Sequence, residues 1–471
     1  MVIMNKVNGL LVFLLVMVSF LANAQSKSEA KMGEKQFKML KLTYGFYDNP
    51  ELLGVVVEVG QNLEKHLDLD YKLQYHLLDM EEPNAFATSG GYVYVTRGLL
   101  ALINTKDELA GILGHELTHV TQHHNSKTMY ANIIPTILEI PGNIIGLLTS
   151  QEVANLLNFP IEVVTGSGTA SFSRKLESNA DKIGIEVAAK AGYDPYALGD
   201  ILTRLNEFVE YLTKEEMKKS IFIDHPITPK RVKRINAQNK KNGFELQDTY
   251  PGTSIVEINN LIFGQNPTGG VLNDTSFIHP ELSFYCDFPK SWIVNNSHQS
   301  ITALAQNKQA VIMITAEQSM YIDDLVKNEV DKHKACKVLE KGEIEINGLK
   351  AFKLVLNTLE SNKENKRLEV LWVKLEGKDV LIKAQAVAKI NDFPKEKVRQ
   401  FFKSIRMTTT DDFKEFTFKT IELKQVADST IEATGDLSEL SKIINGVKPG
   451  KNIHANRYIK EVKKHQLIEF D

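Results

Sequence analysis

The chain has few cysteines: Cys286 and Cys336 are the two in 471 residues. Two cysteines cannot build the disulfide framework that holds small exported domains together, so an ordinary apolar core must hold this fold. A single bridge between them stays open, because sequence does not reveal whether their backbones come within bridging distance. Excess charge of one sign is also lacking. With 56 Lys and Arg against 59 Asp and Glu, the formal net charge is -3. That balance offers no electrostatic footprint for a nucleic-acid partner. Long uninterrupted apolar runs are scarce as well. The run GLLVFLLVMVSFL at 9–21 is short for a bilayer span, and Ala22-Asn23-Ala24 follows it. It reads as a secretory signal peptide over residues 1–24, cleaved after Ala24. No cysteine follows the run, so the residue that lipid attachment would need is missing. The mature chain is expected to be exported, to a periplasm or cell envelope.

The length suits two or three domains. Residues 25–250 read as one mainly helical domain with a strand-like interruption. YKLQYHLLD alternates around 71–79, and GYVYVTRGLL follows the turn-rich PNAFATSGG, which suggests a small hairpin or sheet edge. Thr105 with Glu108 three residues on is a capping box that opens a helix through DELAGILGHELTHVTQHH. Residues 133–161 are apolar but broken by Pro135, Glu139, Pro141 and Gly142. They read as buried helices or a lid, or as a surface that touches membrane or unfolded client protein. A third helix begins near Ser171 or Ser173 and stops at Gly192, before Pro195. Thr228-Pro229 reads as the N-cap and first position of another helix. Residues 251–271 are turn-rich and look like a linker. Residues 272–410 alternate strands with two short helices, near 321–334 and 394–405. Asn347-Gly348 is a strong hairpin signal there. This pattern predicts an α+β domain with an antiparallel sheet. Residues 411–471 form a small tail. Because residues 272–471 carry no cluster of His, Cys and carboxylates, a chain ending near 270 is expected to keep the chemistry.

That chemistry centres on GHELTHVTQHHN at 114–125. His115 and His119 are four apart and share a helix face, so both imidazoles can reach one ion. Glu116, beside the first ligand, is placed to act as general base on a water, whose pKa zinc lowers toward about 7. His123 would lie ~6 Å farther along the axis than His119. Three histidines at that spacing on a straight helix cannot surround a small ion, so His123 and His124 read as solvent-facing or packing residues. Gln122 and Asn125 exclude the longer metzincin motif. The third ligand is sought on the later helix, in SRKLESNADKIG. Glu177 and Asp181 share a face there. Glu177 can complete a His2Glu site, and Asp181 can accept the second ring N–H of a ligand histidine.

GHELTHV with ESNAD some sixty residues later resembles the HtpX-like and CAAX-prenyl-protease family of zinc metallopeptidases. The resemblance covers roughly residues 35–240. It implies a mainly α, zincin-type (gluzincin) peptidase domain with a small β-hairpin or sheet edge, one zinc ion per chain on His115, His119 and Glu177, and a supporting Asp181. NAFATSGGYVYVTRGLL is similar to the family's strand and hairpin beside the cleft, which implies that Asn84, Ala85 and Phe86 lie near the substrate backbone. HPITPKRVKRI resembles a later HPxxxxR motif, which implies that His225 and Arg231 line the site. There they would stabilise the tetrahedral intermediate or gate access to zinc. ELSFYCDFPKSWIVNN looks like the start of an accessory α+β domain, and LSELSKIINGVKPGKNI resembles a LysM-like module. The implied function is an exported zinc metalloendopeptidase acting on misfolded envelope proteins. The alternative is a chaperone-like binding protein whose zinc is latched by His225.

Overall fold

The protein is described by a computed structural model over residues 30–69, 72–122, 167–214, 228–245, 254–318, 321–333, 335–358, 365–425, 438–446 and 458–467. Residues 1–24, read as a signal peptide, the apolar stretch 133–161, His123, His124 and His225 lie outside these residues. Among the described residues no helix is long and apolar enough to cross a membrane.

Helix α1 runs over 30–43. Helix α2 (Pro50–Glu64) starts with proline at its first position and with Asn49 accepting from the Leu52 N–H. Three strands follow: β1 (Gln74–Leu78), β2 (Ala85–Thr88) and β3 (Tyr92–Thr96). The hairpin lies between β2 and β3, where Gly90 and Gly91 take positive φ values. Strand β1 instead pairs parallel to β3, giving the order β1-β3-β2. Parallel pairing needs a crossover rather than a tight turn, so alternation within 71–79 could not reveal it.

The short helix α3 (Arg97–Leu102) leads into α4 (Lys106–Thr121), the helix that carries the HELTH motif. Thr105 caps α4 by accepting from the Glu108 N–H. The Glu108 carboxylate reaches one residue further back than a capping box requires, accepting from the Asn104 N–H at 2.7 Å. Helix α5 (Ser167–Lys190) starts a few residues earlier than the serine signals suggest. It ends in a left-handed Gly192 with the Tyr193 N–H bonded to the Ala188 carbonyl. Helices α6 (Ala197–Lys214) and α7 (Pro229–Lys241) complete the helical layer. These helices bury one face of the small sheet. Val93, Val95, Ala85 and Ala87 share a core with Leu109, Leu113, Leu117 and Ile185.

The segment after residue 254 is more than a linker. Ile255, Ile258 and Leu261 are buried in that same core. Strand β4 (Leu261–Ile262) pairs with a much later strand, and Arg97 donates to the carbonyls of Ile262 and Gly264 at 2.6 and 2.8 Å.

A four-stranded sheet uses β5 (Val271–Asn273), β6 (Ser276–His279) and β7 (Phe284–Asp287). A seven-stranded antiparallel sheet has the order β11-β12-β13-β14-β10-β9-β8. It is built from β8 (Ile293–Ser297), β9 (Ser300–Leu304), β10 (Ala310–Glu317), β11 (Cys336–Ile346), β12 (Leu349–Thr358), β13 (Lys366–Lys374) and β14 (Leu381–Lys389). Asn347 and Gly348 form the β11–β12 turn, both with positive φ. Helix α8 (Ile322–Asp331) covers one face of the sheet, and α9 (Lys395–Ser404) covers the other. The two cysteines are free: Cys286 is buried in the core under α9, and Cys336 packs against the core under α8.

After β15 (Arg406–Met407), which closes the four-stranded sheet, come α10 (Thr410–Glu415), β16 (Thr417–Gln425), α11 (Glu439–Asn445) and β17 (Tyr458–Gln466). Strands β17, β16 and β4 form one sheet. Ile421 and Ile444 are fully buried in the core of the helical domain. The tail thus shares that core.

Candidate metal centre

His115 and His119 lie one turn apart on α4, both buried, with their Nε2 atoms 3.1 Å apart. Glu177 on α5 faces them. Its Oε1 is 3.3 Å from His119 Nε2, and its Oε2 is 3.5 Å from His115 Nε2. Two ligand atoms each about 2.0–2.1 Å from a tetrahedral zinc stand about 3.3 Å apart. Three donors of the right chemistry therefore sit on the corners that such an ion would need. They form the single His, Cys and carboxylate cluster among the described residues that is compact enough for a metal.

The close meeting of α4 and α5 has a local cause. Gly114 precedes the motif and Gly184 lies seven residues after Glu177, at the point where the two backbones touch. A Cβ on Gly114 would come within 2.8 Å of the Gly184 carbonyl oxygen, and one on Gly184 within 2.7 Å of the His115 nitrogen. Any larger residue would push the helices apart. A glycine just before HELTH and another just after ESNAD were the available sequence signal for this crossing.

Around the three donors lies a second set of charges. Asp181 Oδ1 is 3.0 Å from His115 Nδ1, so it takes that ring N–H and leaves Nε2 directed at the other donors. Arg231, near the start of α7, donates from Nη2 to Asp181 Oδ1 at 2.8 Å and from Nε to Asp181 Oδ2 at 3.1 Å. Its Nη1 is 3.4 Å from Glu177 Oε2. Arg234 adds a bond to Asp181 Oδ2 at 3.0 Å. The helix N-terminus repels a cation in its first turn, so Arg231 at that position implied a carboxylate partner. Sequence could not say which one.

The electrostatics agree with the geometry. Burial and the Arg231 guanidinium push the His115 imidazole down, but Asp181 and Glu177 outweigh them and raise it to about 9. Burial opposes the charged form of Asp181, yet His115 and Arg231 hold its carboxyl well below the usual carboxylate range. Burial also disfavours the Arg231 cation, and Asp181 and Glu177 more than compensate. The pocket favours a cation beside Glu177. Glu116, next to His115 on α4, is buried at 3% exposure.

The expected substrate contacts divide between the two sheet faces. Ala85 faces α4 with the rest of the main core. Phe86 points the other way, stacked on Tyr94 with ring centroids 5.0 Å apart. Its side chain is therefore spent on the core beneath α1, and only its backbone can face the α4 side. Asn84 is half-buried and donates its N–H to Thr96 Oγ1 at 2.8 Å.

A buried histidine pair on one helix, a glutamate from a crossing helix, a carboxylate behind the first histidine and a glutamate beside it make up an HExxH-type donor set able to hold a metal ion. Residues 51–239 match peptidase family M48, which supports an HtpX-like zinc metallopeptidase domain there. The chain is 28% identical over 219 residues to a beta-barrel assembly-enhancing protease of Escherichia coli O157:H7, covering 45% of this chain and 44% of that one. It is 28% identical over 214 residues to the mitochondrial metalloendopeptidase OMA1 of Schizosaccharomyces pombe, covering 44% and 60%. It is 25% identical over 177 residues to the metalloprotease LoiP of Escherichia coli (strain K12), covering 37% and 65%. The chain thus spans less than half the length of the first of these relatives.

Proposed function

We propose that this protein is an exported zinc metalloendopeptidase that cleaves misfolded or misassembled proteins of the cell envelope. The observation that carries the reading is the three-donor cluster of His115, His119 and Glu177 with Glu116 next to the first ligand. Zinc held by these donors would supply Lewis acidity, polarising the scissile carbonyl and lowering the pKa of a water. Glu116 takes the proton from that water and passes it to the leaving amine. Asp181 fixes the His115 tautomer, and Arg231 fixes Asp181. His225, in the HPITPKR stretch, either donates to the developing oxyanion or latches the site at rest. Asn84 and Ala85, with the backbone of Phe86, flank the substrate.

The relative named for assisting β-barrel assembly supports an envelope client, and the signal-like residues 1–24 support export to a periplasm. Residues 133–161, in the second of their two readings, would contact a membrane surface or the unfolded client. The tail is read as LysM-like, with strand, helix and strand in β16, α11 and β17.

Casein hydrolysis by the purified mature protein tests the activity. Wild type should cleave, a zinc chelator should stop it, and Glu116→Gln should bind zinc but not cleave. Zinc binding without cleavage by wild type would favour the chaperone-like alternative with a latched site. Turnover by Glu116→Gln at the wild-type rate would show that another base acts.

A further inference from the structure

The corner between α3 and α4 is held by two basic side chains from distant parts of the chain. Arg204, on α6, donates from Nη1 to the Leu102 carbonyl at 2.9 Å. Lys460, on β17 of the tail, donates from Nζ to the Ala101 carbonyl at 2.8 Å and to the Ile103 carbonyl at 2.5 Å. Three carbonyls at the C-terminal end of α3 are thus satisfied by side chains more than a hundred residues away in sequence. Such an end leaves carbonyls without helical partners, so N–H donors suit it.

One of the two, Arg204, also reaches α4, the helix of the HELTH motif. Glu108, in the first turn of α4, takes two bonds from Arg204, at 2.7 and 2.9 Å. It also accepts from the Asn104 N–H. Glu108, Arg204 and Lys460 are 0, 5 and 2% exposed. His115 sits two turns beyond Glu108 on the same helix. Whatever fixes Glu108 and the corner before it fixes the axis on which both histidines ride.

The tail is tied to this corner by two of its elements. Asn445, the last residue of α11, donates to the Lys460 carbonyl and accepts from the Lys460 N–H, both at 2.8 Å. Gly446, left-handed after α11, lies flat against Arg204, where a Cβ would come within 2.6 Å of Nη2. An amine buried this deeply is costly to keep. An apolar side chain would fill the space, but it would cap no carbonyl.

We propose that Lys460 is a positioning residue for the metal site, through which the C-terminal module holds the zinc helix in register with Glu177. The inference rests on the reading of His115, His119 and Glu177 as zinc ligands. It makes the tail a working part of the peptidase, so that anything that undocks the tail loosens the site.

The test compares wild type with Lys460→Met, Lys460→Arg and Asn445→Ala, and with Lys463→Met as a control on the same strand. Lys463 is exposed and pairs with Glu422. Zinc affinity is measured by competition with a chromophoric chelator, and amide exchange is followed over residues 103–113, both well below the melting temperature. Lys460→Met should weaken zinc binding by about tenfold, the lower end for outer-shell support of a metal ligand, and speed exchange at the α3–α4 corner. Lys460→Arg should restore most of both, and Lys463→Met should change neither. If Lys460→Met fails to fold, Asn445→Ala decides, with a smaller shift in the same direction. Zinc affinity and exchange at wild-type values in Lys460→Met, or in Asn445→Ala where the first does not fold, overturn the inference. A wild type that binds no zinc would instead overturn the ligand assignment.

Discussion

Asp181 is the residue whose role the site makes most specific. It stands between His115 Nδ1 and the Arg231 guanidinium and contacts both. Asp181→Asn keeps the shape but can no longer hold both partners as an anion. Zinc affinity should fall by about 10–100-fold, with secondary structure unchanged. A variant that binds zinc as tightly as wild type would reduce Asp181 to a helix-to-helix contact. The contact of Asp181 with His115 was legible in the sequence, because ESNAD puts a second carboxylate one turn after Glu177. The partnership with Arg231 was not, because it joins residues 50 apart whose spacing encodes no contact. Arg231 was expected to line the site, and its guanidinium lies against Asp181, Glu177 and the His115 ring. Phe86 shows the limit of strand patterns: alternation says that neighbours face opposite ways, not which face meets the metal.

Among the elements, the crossing of α4 and α5 decides whether a site exists at all. Helix α4 was legible from its cap and its apolar stripe, and α5 from its Gly192 stop. The crossing was not, since it depends on Gly114 and Gly184 meeting backbone to backbone. Gly184→Ala inserts a methyl where the His115 nitrogen already stands. It should cost about 1–3 kcal/mol through overpacking and weaken zinc binding, because Glu177 moves away from the histidines. Thermal melting and chelator competition on the same sample read both effects. A gain in stability with unchanged zinc affinity would mean that the helices are not in contact there. The sheet domain was more legible, for a physical reason. Its hairpins are local, and turn residues such as Asn347 and Gly348 announce them. The parallel β1–β3 pair is not local and left no such mark.

For the molecule as a whole, the chain is less divisible than its composition suggests. The turn-rich stretch after residue 250 contributes Ile255, Ile258 and Leu261 to the peptidase core, and the tail contributes Ile421 and Ile444. These residues look ordinary in sequence because a strand or helix face shows that it is buried, not against what. Burying two such side chains contributes on the order of 3–6 kcal/mol. A chain ending near 270 is therefore predicted to melt at lower temperature and to lose its zinc, against the expectation that the second half is dispensable. Wild-type melting and zinc retention in that truncated chain would restore the simpler division. The central claim is that His115, His119 and Glu177 hold one zinc ion, and its most direct test is the zinc content of the purified mature protein beside His119→Ala. The account predicts one zinc per chain in wild type and its loss in a folded His119→Ala. Equal zinc in the two proteins would contradict it.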